Sequence, residues 1–161
     1  MKIELAKTEV IHFVGIGGIG MSGLSLIMKA KGFKIQGSDL NLNKNVERLK
    51  KEKIKVFIGQ KKQNLKNATI VVISSAIKKN NPEMIEAKRK NLPIITRGKM
   101  LAHIVSLTKN IVVVGSHGKT TTTSLIASIF QKTKLDPTII NGGVINSIRN
   151  TARLGKSDWS I

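Results

Sequence analysis

Apolar residues in this chain are grouped in short continuous runs that alternate with longer amphipathic segments. Residues 10–14 and 69–74 are rich in Val and Ile, the pattern of strands buried on both faces of a parallel sheet. Residues 19–31 have apolar side chains at helical spacing and are followed by Gly32. Because strands and helices alternate, the pattern predicts an α/β fold with a parallel sheet. The predicted strands are 10–14, 34–37, 54–58, 69–74, 92–96, 111–114 and 138–140, and the predicted helices are 19–31, 43–52, 82–90 with Asn81 as its N-cap, 98–105 and one that begins near Lys119.

A glycine-rich segment follows the first predicted strand. Gly15, Gly17 and Gly20 have the spacing G-x-G-x-x-G and, with the strand that ends at Ser38 and Asp39, complete a Rossmann-type βαβ unit. Asp39 lies 19 positions after Gly20, where an acidic side chain at a strand tip can accept hydrogen bonds from ribose hydroxyls. The alternative for Asp39 is a turn or helix-cap carboxylate ahead of the next helix.

A second glycine-bounded loop follows residues 111–114 and leads into Lys119 and Thr120. Strand, loop and helix start occur in the order of a phosphate-binding loop, which predicts binding of a nucleoside triphosphate. Lys119 would contribute a full positive charge, and the Thr120 hydroxyl would be a ligand for Mg²⁺. The loop has the short form G-x-x-G-K-T, because Val113 stands where the standard pattern has glycine.

Polar residues at other strand ends extend the list of candidates. Ser74 and Ser75 follow a buried strand, at the sheet edge where α/β proteins bind ligands, and either a diphosphate contact or a serine turn fits them. Arg97 follows the strand 92–96 and either faces a ligand phosphate or forms a salt bridge. Asn141 follows the strand 138–140, where a glycine turn is the alternative to a ligand contact.

The composition limits the function classes. The 161 residues are long enough to bury a core, and 40% hydrophobic content with 3% aromatics is typical of an α/β protein. The absence of Cys excludes disulfides and thiol catalysis, and the three His residues have no zinc-binding spacing. The chain has no apolar run of transmembrane length, and Glu4 and Glu9 distinguish its N-terminus from a secretory signal. We therefore expect a cytoplasmic protein with no membrane partner.

The net charge of +19 raises nucleic-acid binding as a possibility, but the distribution of the charge argues against it. Lysines are spread over almost every predicted helix and turn, without aromatic residues between them for base stacking. Only five of the 28 basic residues are Arg, the side chain that groove and phosphate readers commonly use. We expect a solvated lysine-rich surface and no nucleic-acid partner.

The two loops, their order and their spacing resemble the N-terminal part of the Mur ligases, over essentially all 161 residues. This family uses the short G-x-x-G-K-[ST] loop, and Ser116 stands where the family more often has Thr. The matching segments are residues 12–21, 37–39, 74–77, 81–83, 115–122 and 141–143.

The resemblance implies ATP-dependent ligation of L-alanine to UDP-N-acetylmuramate through an acyl phosphate, with ATP and Mg²⁺ required. It implies a Rossmann-like UDP-substrate domain at 1–108 and the beginning of a central ATPase domain at 109–161, so that the chain is expected to be an inactive fragment. Lys119 and His117 are the expected catalytic residues, although a loop-packing role for His117 stays open. The expected UDP-substrate residues are Gly15, Gly17, Gly18, Ile19, Gly20, Asp39, Ser74, Ser75, Arg97 and Asn141; the expected ATP residues are Gly115, Ser116, His117, Gly118, Lys119, Thr120 and Thr121; and the expected Mg²⁺ ligands are Thr120 and Thr121.

Two other function classes stay open at this point. A pyridine-nucleotide oxidoreductase domain would explain residues 10–39 but would leave the loop at Lys119 without a purpose. A nucleic-acid-binding ATPase would explain the positive net charge and the loop at Lys119 but would give the first βαβ unit no function. The sequence does not indicate an oligomeric state.

Overall fold

The computed structural model describes residues 5–133, 135–145 and 150–161, so that residues 1–4 of the N-terminal segment lie outside the described part. The chain forms two compact units, Met1–Leu101 and Ala102–Ile161. The domain boundary predicted from the sequence lies later in the chain, between residues 108 and 109. The helix Arg97–Ser106 contains the junction between the two compact units.

The first unit is built on a five-stranded sheet in which every neighbouring pair is parallel, in the order β3-β2-β1-β4-β5. This sheet confirms the predicted α/β class and the Rossmann-like βαβ start. A short 3-10 helix, Lys62–Leu65, was not predicted. The strands are β1 (Val10–Val14), β2 (Lys34–Asp39), β3 (Lys55–Ile58), β4 (Ile70–Ile73) and β5 (Ile94–Thr96), and the helices are α1 (Ile19–Ala30), α2 (Lys44–Lys51), α3 (Pro82–Arg89) and α4 (Arg97–Ser106).

Strand alternation divides the buried residues of β1 between the two faces of the sheet. On one face, Val14 and Val71 pack with Leu65 of the 3-10 helix and Ala87 of α3. Phe13 points to the opposite face and is fully buried. Both faces are therefore covered, which explains why the strands are continuous apolar runs in the sequence.

Side-chain caps explain where two of the helices begin. Asn43 precedes α2, and its side-chain oxygen accepts a hydrogen bond from the Val46 amide. Asn81 precedes α3, and Pro82 occupies the first helical position, where its missing N–H leaves no donor unpaired. The sequence predicted Asn81 as an N-cap, which the structure confirms, whereas it included Asn43 in the predicted helix and the structure makes this residue a cap.

The second unit contains one described helix, α5 (Lys119–Gln131), and four short strands. The strand β9 lies between β6 and the start of β7: it pairs in parallel with β6, and Thr138 forms a parallel bridge with Ser160. Ala127 of α5 and Ile139 of β7 form a small buried cluster. The strands are β6 (Lys109–Asn110), β7 (Ile139–Ile145), β8 (Asn150–Arg153) and β9 (Trp159–Ser160).

The predicted buried strand at residues 111–114 is wrong. Only Lys109 and Asn110 form a strand there, and Val112 and Val114 are 62% and 83% exposed. The strand β9 is two residues long and pairs with Lys109 and Asn110. Beyond this pair, the Ile111 amide donates to the Ser160 carbonyl oxygen at 2.9 Å. Apolar residues without a neighbouring strand have no ladder to join. Within the described part of the chain, no helix is long and apolar enough to cross a membrane.

Candidate functional site

A cavity of about 640 Å³ opens beside the carboxyl ends of the first unit's strands. Strand order reverses between β1 and β4, and ligands of open α/β sheets bind at such a switch point. We call it the sheet-edge cavity. Its lining residues are Gly15, Gly17, Gly18, Asp39, Leu40, Asn43, Gln60, Ser74, Ala76, Ile77, Lys78, Asn80, Asn81 and Pro82.

The glycine loop between β1 and α1 is held against the end of β2. The amides of Gly15 and Ile16 both donate to the Ser38 carbonyl oxygen, at 2.8 and 2.9 Å. The Gly17 amide donates to Asp39 Oδ2 at 2.8 Å. The Gly17 carbonyl oxygen in turn accepts from Asn45 Nδ2 at 2.8 Å. These bonds shape the loop before any ligand arrives, so that ligand binding costs little ordering entropy.

Asp39 lines the cavity, as predicted, but its carboxylate also supports the loop. One oxygen accepts from the Gly17 amide, and the other accepts from the Asn41 amide at 3.3 Å. A carboxylate has about four lone-pair sites, so Asp39 keeps capacity for a ligand hydroxyl. The bond from the Asn41 amide agrees with the turn role that the sequence offered for Asp39, and the ribose contact stays a prediction.

The N-terminus of α1 lies at the same loop. Gly18 is the helix N-cap and lines the cavity, and Ile19 begins the helix. Arg97 reaches this first turn, because a Cβ atom built on Gly20 would lie 2.5 Å from Arg97 Nη1. A helix N-terminus beside a guanidinium group is a suitable place for an anionic group.

The opposite side of the cavity is formed by the ends of β3 and β4 and by the start of α3. Ser74 lines the cavity, whereas Ser75 is exposed and is not among the lining residues. The Asn81 side chain accepts from the Glu83 amide at 2.9 Å and donates to Gln60 Oε1 at 2.5 Å. Gln60 was not among the predicted site residues, although its position just after β3 follows the same strand-end rule that selected Ser74.

The second unit contains the predicted phosphate-binding loop before α5. Gly118 adopts a left-handed conformation with φ of 76°, which a residue with a side chain rarely takes, and α5 begins at Lys119 as predicted. Lys119 Nζ donates to the Gly115 carbonyl oxygen and, at 2.9 Å, to the Ser116 carbonyl oxygen. The Lys119 ammonium group is therefore hydrogen-bonded to carbonyl oxygens of its own loop.

The remaining predicted residues of this unit surround the first turn of α5. His117, Thr120 and Thr121 are exposed. The side-chain nitrogen Nδ2 of Asn141 lies 3.5 Å from the Thr120 carbonyl oxygen, so Asn141 contacts the first turn of α5.

A resident Mg²⁺ would find hydroxyl ligands here but no acidic cluster. Among residues 5–133, 135–145 and 150–161, no group of three or more His, Cys, Asp or Glu side chains could hold a metal ion. Asp136 and Asp158 are paired with Arg153 and Lys109. Phosphate-bound Mg²⁺ usually takes most of its ligands from phosphates and water, so a Thr120 hydroxyl fits such an ion as a single ligand.

Comparison with known proteins yields one family. The family described as Mur ligase family, catalytic domain, matches residues 10–109. The UDP-N-acetylmuramate–L-alanine ligase of Pelagibacter ubique is 77% identical over all 161 residues, and that of Methylorubrum populi is 49% identical over 155 residues, or 96% of this chain. The crystal structure of UDP-N-acetylmuramate-alanine ligase from Thermotoga maritima matches 93% of this chain and 36% of its own, with a TM-score of 0.82 and 29% identity. The chain spans 35% and 33% of the length of the two sequence relatives.

Proposed function

This chain belongs to the Mur ligase family, and we propose that it contributes the substrate-binding unit and phosphate loop of a cytoplasmic ligase that joins L-alanine to UDP-N-acetylmuramate with ATP. The sheet-edge cavity is the observation that carries this proposal. Its volume of about 640 Å³ lies within the range of pockets that enclose a small-molecule ligand. Its position at the glycine loop suits a nucleoside diphosphate.

In this proposal the diphosphate lies on the glycine loop at the N-terminus of α1. Arg97 adds positive charge at the first helical turn, and Asp39 accepts a ribose hydroxyl while it holds the Gly17 amide. Ser74 donates its hydroxyl from the opposite side of the cavity. The residues of the first unit proposed for the UDP substrate are Gly15, Gly17, Gly18, Ile19, Gly20, Asp39, Ser74, Ser75 and Arg97, while the role of Asn141 in the second unit stays a prediction from the sequence.

The phosphate loop would position ATP for phosphoryl transfer. A carboxylate oxygen of UDP-N-acetylmuramate attacks the γ-phosphorus and ADP leaves; the L-alanine amine then attacks the acyl carbon and phosphate leaves. Such transfers depend on positioning and charge neutralisation. When ATP binds, Lys119 would exchange its hydrogen bonds to the carbonyl oxygens of Gly115 and Ser116 for bonds to phosphate oxygens. Its ammonium group therefore stays hydrogen-bonded in both states.

The other residues that we assign to the ATP site belong to the same loop and to the first turn of α5. Backbone amides from Gly115 to Lys119 surround the phosphates, and His117 projects toward the transferred group. Thr120, with Thr121 beside it, would hold Mg²⁺, which supplies charge neutralisation at the phosphates. We assign residues 1–108 to the UDP-substrate domain and 109–161 to the start of the ATPase domain.

Calorimetric titration of the 161-residue chain with UDP-N-acetylmuramate, NAD and single-stranded DNA tests the substrate assignment. We expect saturable binding of the nucleotide sugar and no specific binding of the other two. The Gly18→Val variant should lose this binding, because its side chain would occupy the approach to the glycine loop. Binding of NAD in preference to the nucleotide sugar would contradict the proposal in favour of an oxidoreductase domain.

A further inference from the structure

A set of buried polar residues lies beneath the sheet-edge cavity, on the face of the sheet that α3 and the 3-10 helix cover. We call it the Glu83 network. The strands β1 and β2 contribute members that are in register, since His12 pairs with Gln36. Buried polar side chains are costly unless their hydrogen bonds are satisfied. The network consists of His12, Gln36, Ser38, Asn64 and Glu83.

The Glu83 carboxylate is the centre of this network. It is fully buried near the N-terminus of α3, where the helix dipole favours a negative charge. Oε2 accepts from Ser38 Oγ at 2.6 Å, and Oε1 accepts from Asn64 Nδ2 at 2.7 Å. His12 Nε2 lies 3.5 Å from Oε2. Donors from β2 and the 3-10 helix thus converge on one carboxylate, and the His12 ring of β1 lies beside it without a hydrogen bond to it.

Gln36 determines which nitrogen of His12 carries the proton. Gln36 Nε2 donates to the Asn64 carbonyl oxygen at 2.9 Å and lies 3.1 Å from His12 Nδ1. Because an amide nitrogen only donates, Nδ1 is the acceptor in a neutral His12. The proton is then on Nε2 and faces Glu83.

The segments that Glu83 joins lie next to residues of the cavity, either along the chain or through one hydrogen bond. Ser38 precedes Asp39, which holds the Gly17 amide. Asn64 also donates to the Gly59 carbonyl oxygen at 2.9 Å, next to Gln60. Glu83 itself follows the cap residue Asn81, which lines the cavity. One buried carboxylate therefore connects the end of β2, the end of β3 and the start of α3.

We propose that Glu83 is a positioning residue of the nucleotide-sugar site, which holds these three cavity-forming segments in register through its hydrogen bonds to Ser38 and Asn64. Glu83 touches no ligand in this proposal and acts only through its neighbours. The identity of the ligand rests on the proposed function, whereas the positioning of the segments does not.

An amide lacks one of the two acceptors that this carboxylate provides. In Glu83→Gln, the NH₂ group meets either Asn64 Nδ2, so that two donors face each other, or Ser38 Oγ, whose hydroxyl must then accept instead of donate while the His12 Nε2 proton lies nearby. Moving the His12 proton to Nδ1 transfers the conflict to Gln36. The substitution is nearly isosteric, so that it tests hydrogen bonding rather than volume.

The matched control is Glu86→Gln, the same chemical change one turn later on α3. Glu86 pairs with Arg89 through Oε1 at 2.8 Å and contributes nothing to the cavity lining. Calorimetry on the folded 161-residue chain, well below its melting temperature, should show about tenfold weaker UDP-N-acetylmuramate binding for Glu83→Gln and unchanged binding for Glu86→Gln. Wild-type affinity in folded Glu83→Gln would overturn the proposal.

Hydrogen exchange of the ligand-free chain gives a second readout that does not depend on ligand identity. Glu83→Gln should speed exchange at the Gly17 and Gly59 amides, which bond to Asp39, while the helix α1 interior stays protected. Uniformly faster exchange would indicate a merely structural role and would overturn the proposal. If the wild type fails to bind the nucleotide sugar, the proposed function fails while this exchange experiment still decides the positioning.

If Glu83→Gln does not fold, Ser38→Ala takes its place. This variant removes a single donor to the carboxylate and keeps the hydrogen bond from Asn64. We expect faster exchange at the Gly17 amide and, where the ligand binds, an affinity loss of about threefold. Unchanged exchange and unchanged affinity would overturn the proposal.

Discussion

Gly17 and Gly18 are neighbours in the glycine loop, but an added methyl group would meet different surroundings at each. A Cβ atom on Gly17 would lie 2.7 Å from Asn43 Nδ2 and from Val46 Cγ2, and 2.8 Å from Asp39 Oδ2. Real Cβ atoms do not approach other atoms so closely, so the packed α2 helix or the loop must move. Gly17→Ala therefore tests packing, and we expect it to destabilise the first unit.

A Cβ atom on Gly18 has more room. Its nearest neighbour would be the Gly15 carbonyl oxygen at 3.3 Å, followed by Met21 Cγ at 3.8 Å. The Gly18 backbone has φ of −61° and ψ of 147°, which any residue adopts without strain. Gly18→Ala therefore needs an adjustment of only a few tenths of an ångström.

These distances predict clearly different melting temperatures. Overpacking at Gly17 should cost about 1–3 kcal/mol, and the entropy that alanine removes from the unfolded chain offsets less than about 1 kcal/mol of this. For a domain of roughly 100 residues, each kcal/mol lowers the melting temperature by about 4–8 °C. Gly18→Ala should stay within about 0.5 kcal/mol of the wild type.

Thermal unfolding of both variants, followed by circular dichroism, measures this difference. We expect the transition of Gly17→Ala to be lower by at least about 4 °C and that of Gly18→Ala to be close to the wild type. The bulkier Gly18→Val should keep its fold and lose the nucleotide sugar. Equal melting temperatures for the two alanine variants would refute the packing argument, and full binding by a folded Gly18→Val would place the ligand elsewhere.

Further predictions concern the second unit and α3. In a full-length enzyme, Lys119→Ala should lower turnover by orders of magnitude, whereas Thr120→Ala should raise the Mg²⁺ requirement; near-normal ligation by Lys119→Ala would contradict the phosphate-loop assignment. Amides after Asn110 should exchange faster than those of the first unit, because the second unit exposes more of its apolar residues; equal protection would contradict this. The hydrogen bond from Arg89 lowers the pKa of Glu86, so this pair should stabilise the fold above the unfolded pKa near 4.5 and lose that effect as the pH falls through the lower folded value. Melting curves of Glu86→Gln and the wild type should therefore converge in acid, and a constant difference would count against the pair.

The local patterns of the first unit were sufficient to predict its elements. Residues 10–14 and 19–31 were predicted as the first strand and helix, and the structure confirms β1 and α1 with an end shifted by one residue. The glycine spacing predicted a loop at a sheet edge, and Gly15, Gly17 and Gly18 line the cavity. These features depend on residues that are only a few positions apart, so the pattern of the sequence is sufficient to predict them.

Contacts between distant segments were not predictable in the same way. Asp39 was interpreted from its position as a ribose acceptor or a cap, whereas its hydrogen bond to the Gly17 amide depends on how β2 meets the loop. Ser38 and Glu83 are 45 positions apart, and no pattern in the sequence connects them. The Glu83 network exists only because strand register and the packing of α3 bring its members together.

The sequence by itself determined the alternation of strands and helices, the two glycine loops and the start of α5 at Lys119, because periodicity, turn residues and helix caps act over a few positions. The tertiary structure decided which apolar runs became strands. Residues 111–114 have the same Val-rich pattern as β4, yet β4 lies between β1 and β5 and is a strand, while Val112 and Val114 pair with no strand in the described part of the chain and are exposed. A strand is stabilised by hydrogen bonds to its neighbours, so a β pattern becomes a strand only where the fold supplies a partner.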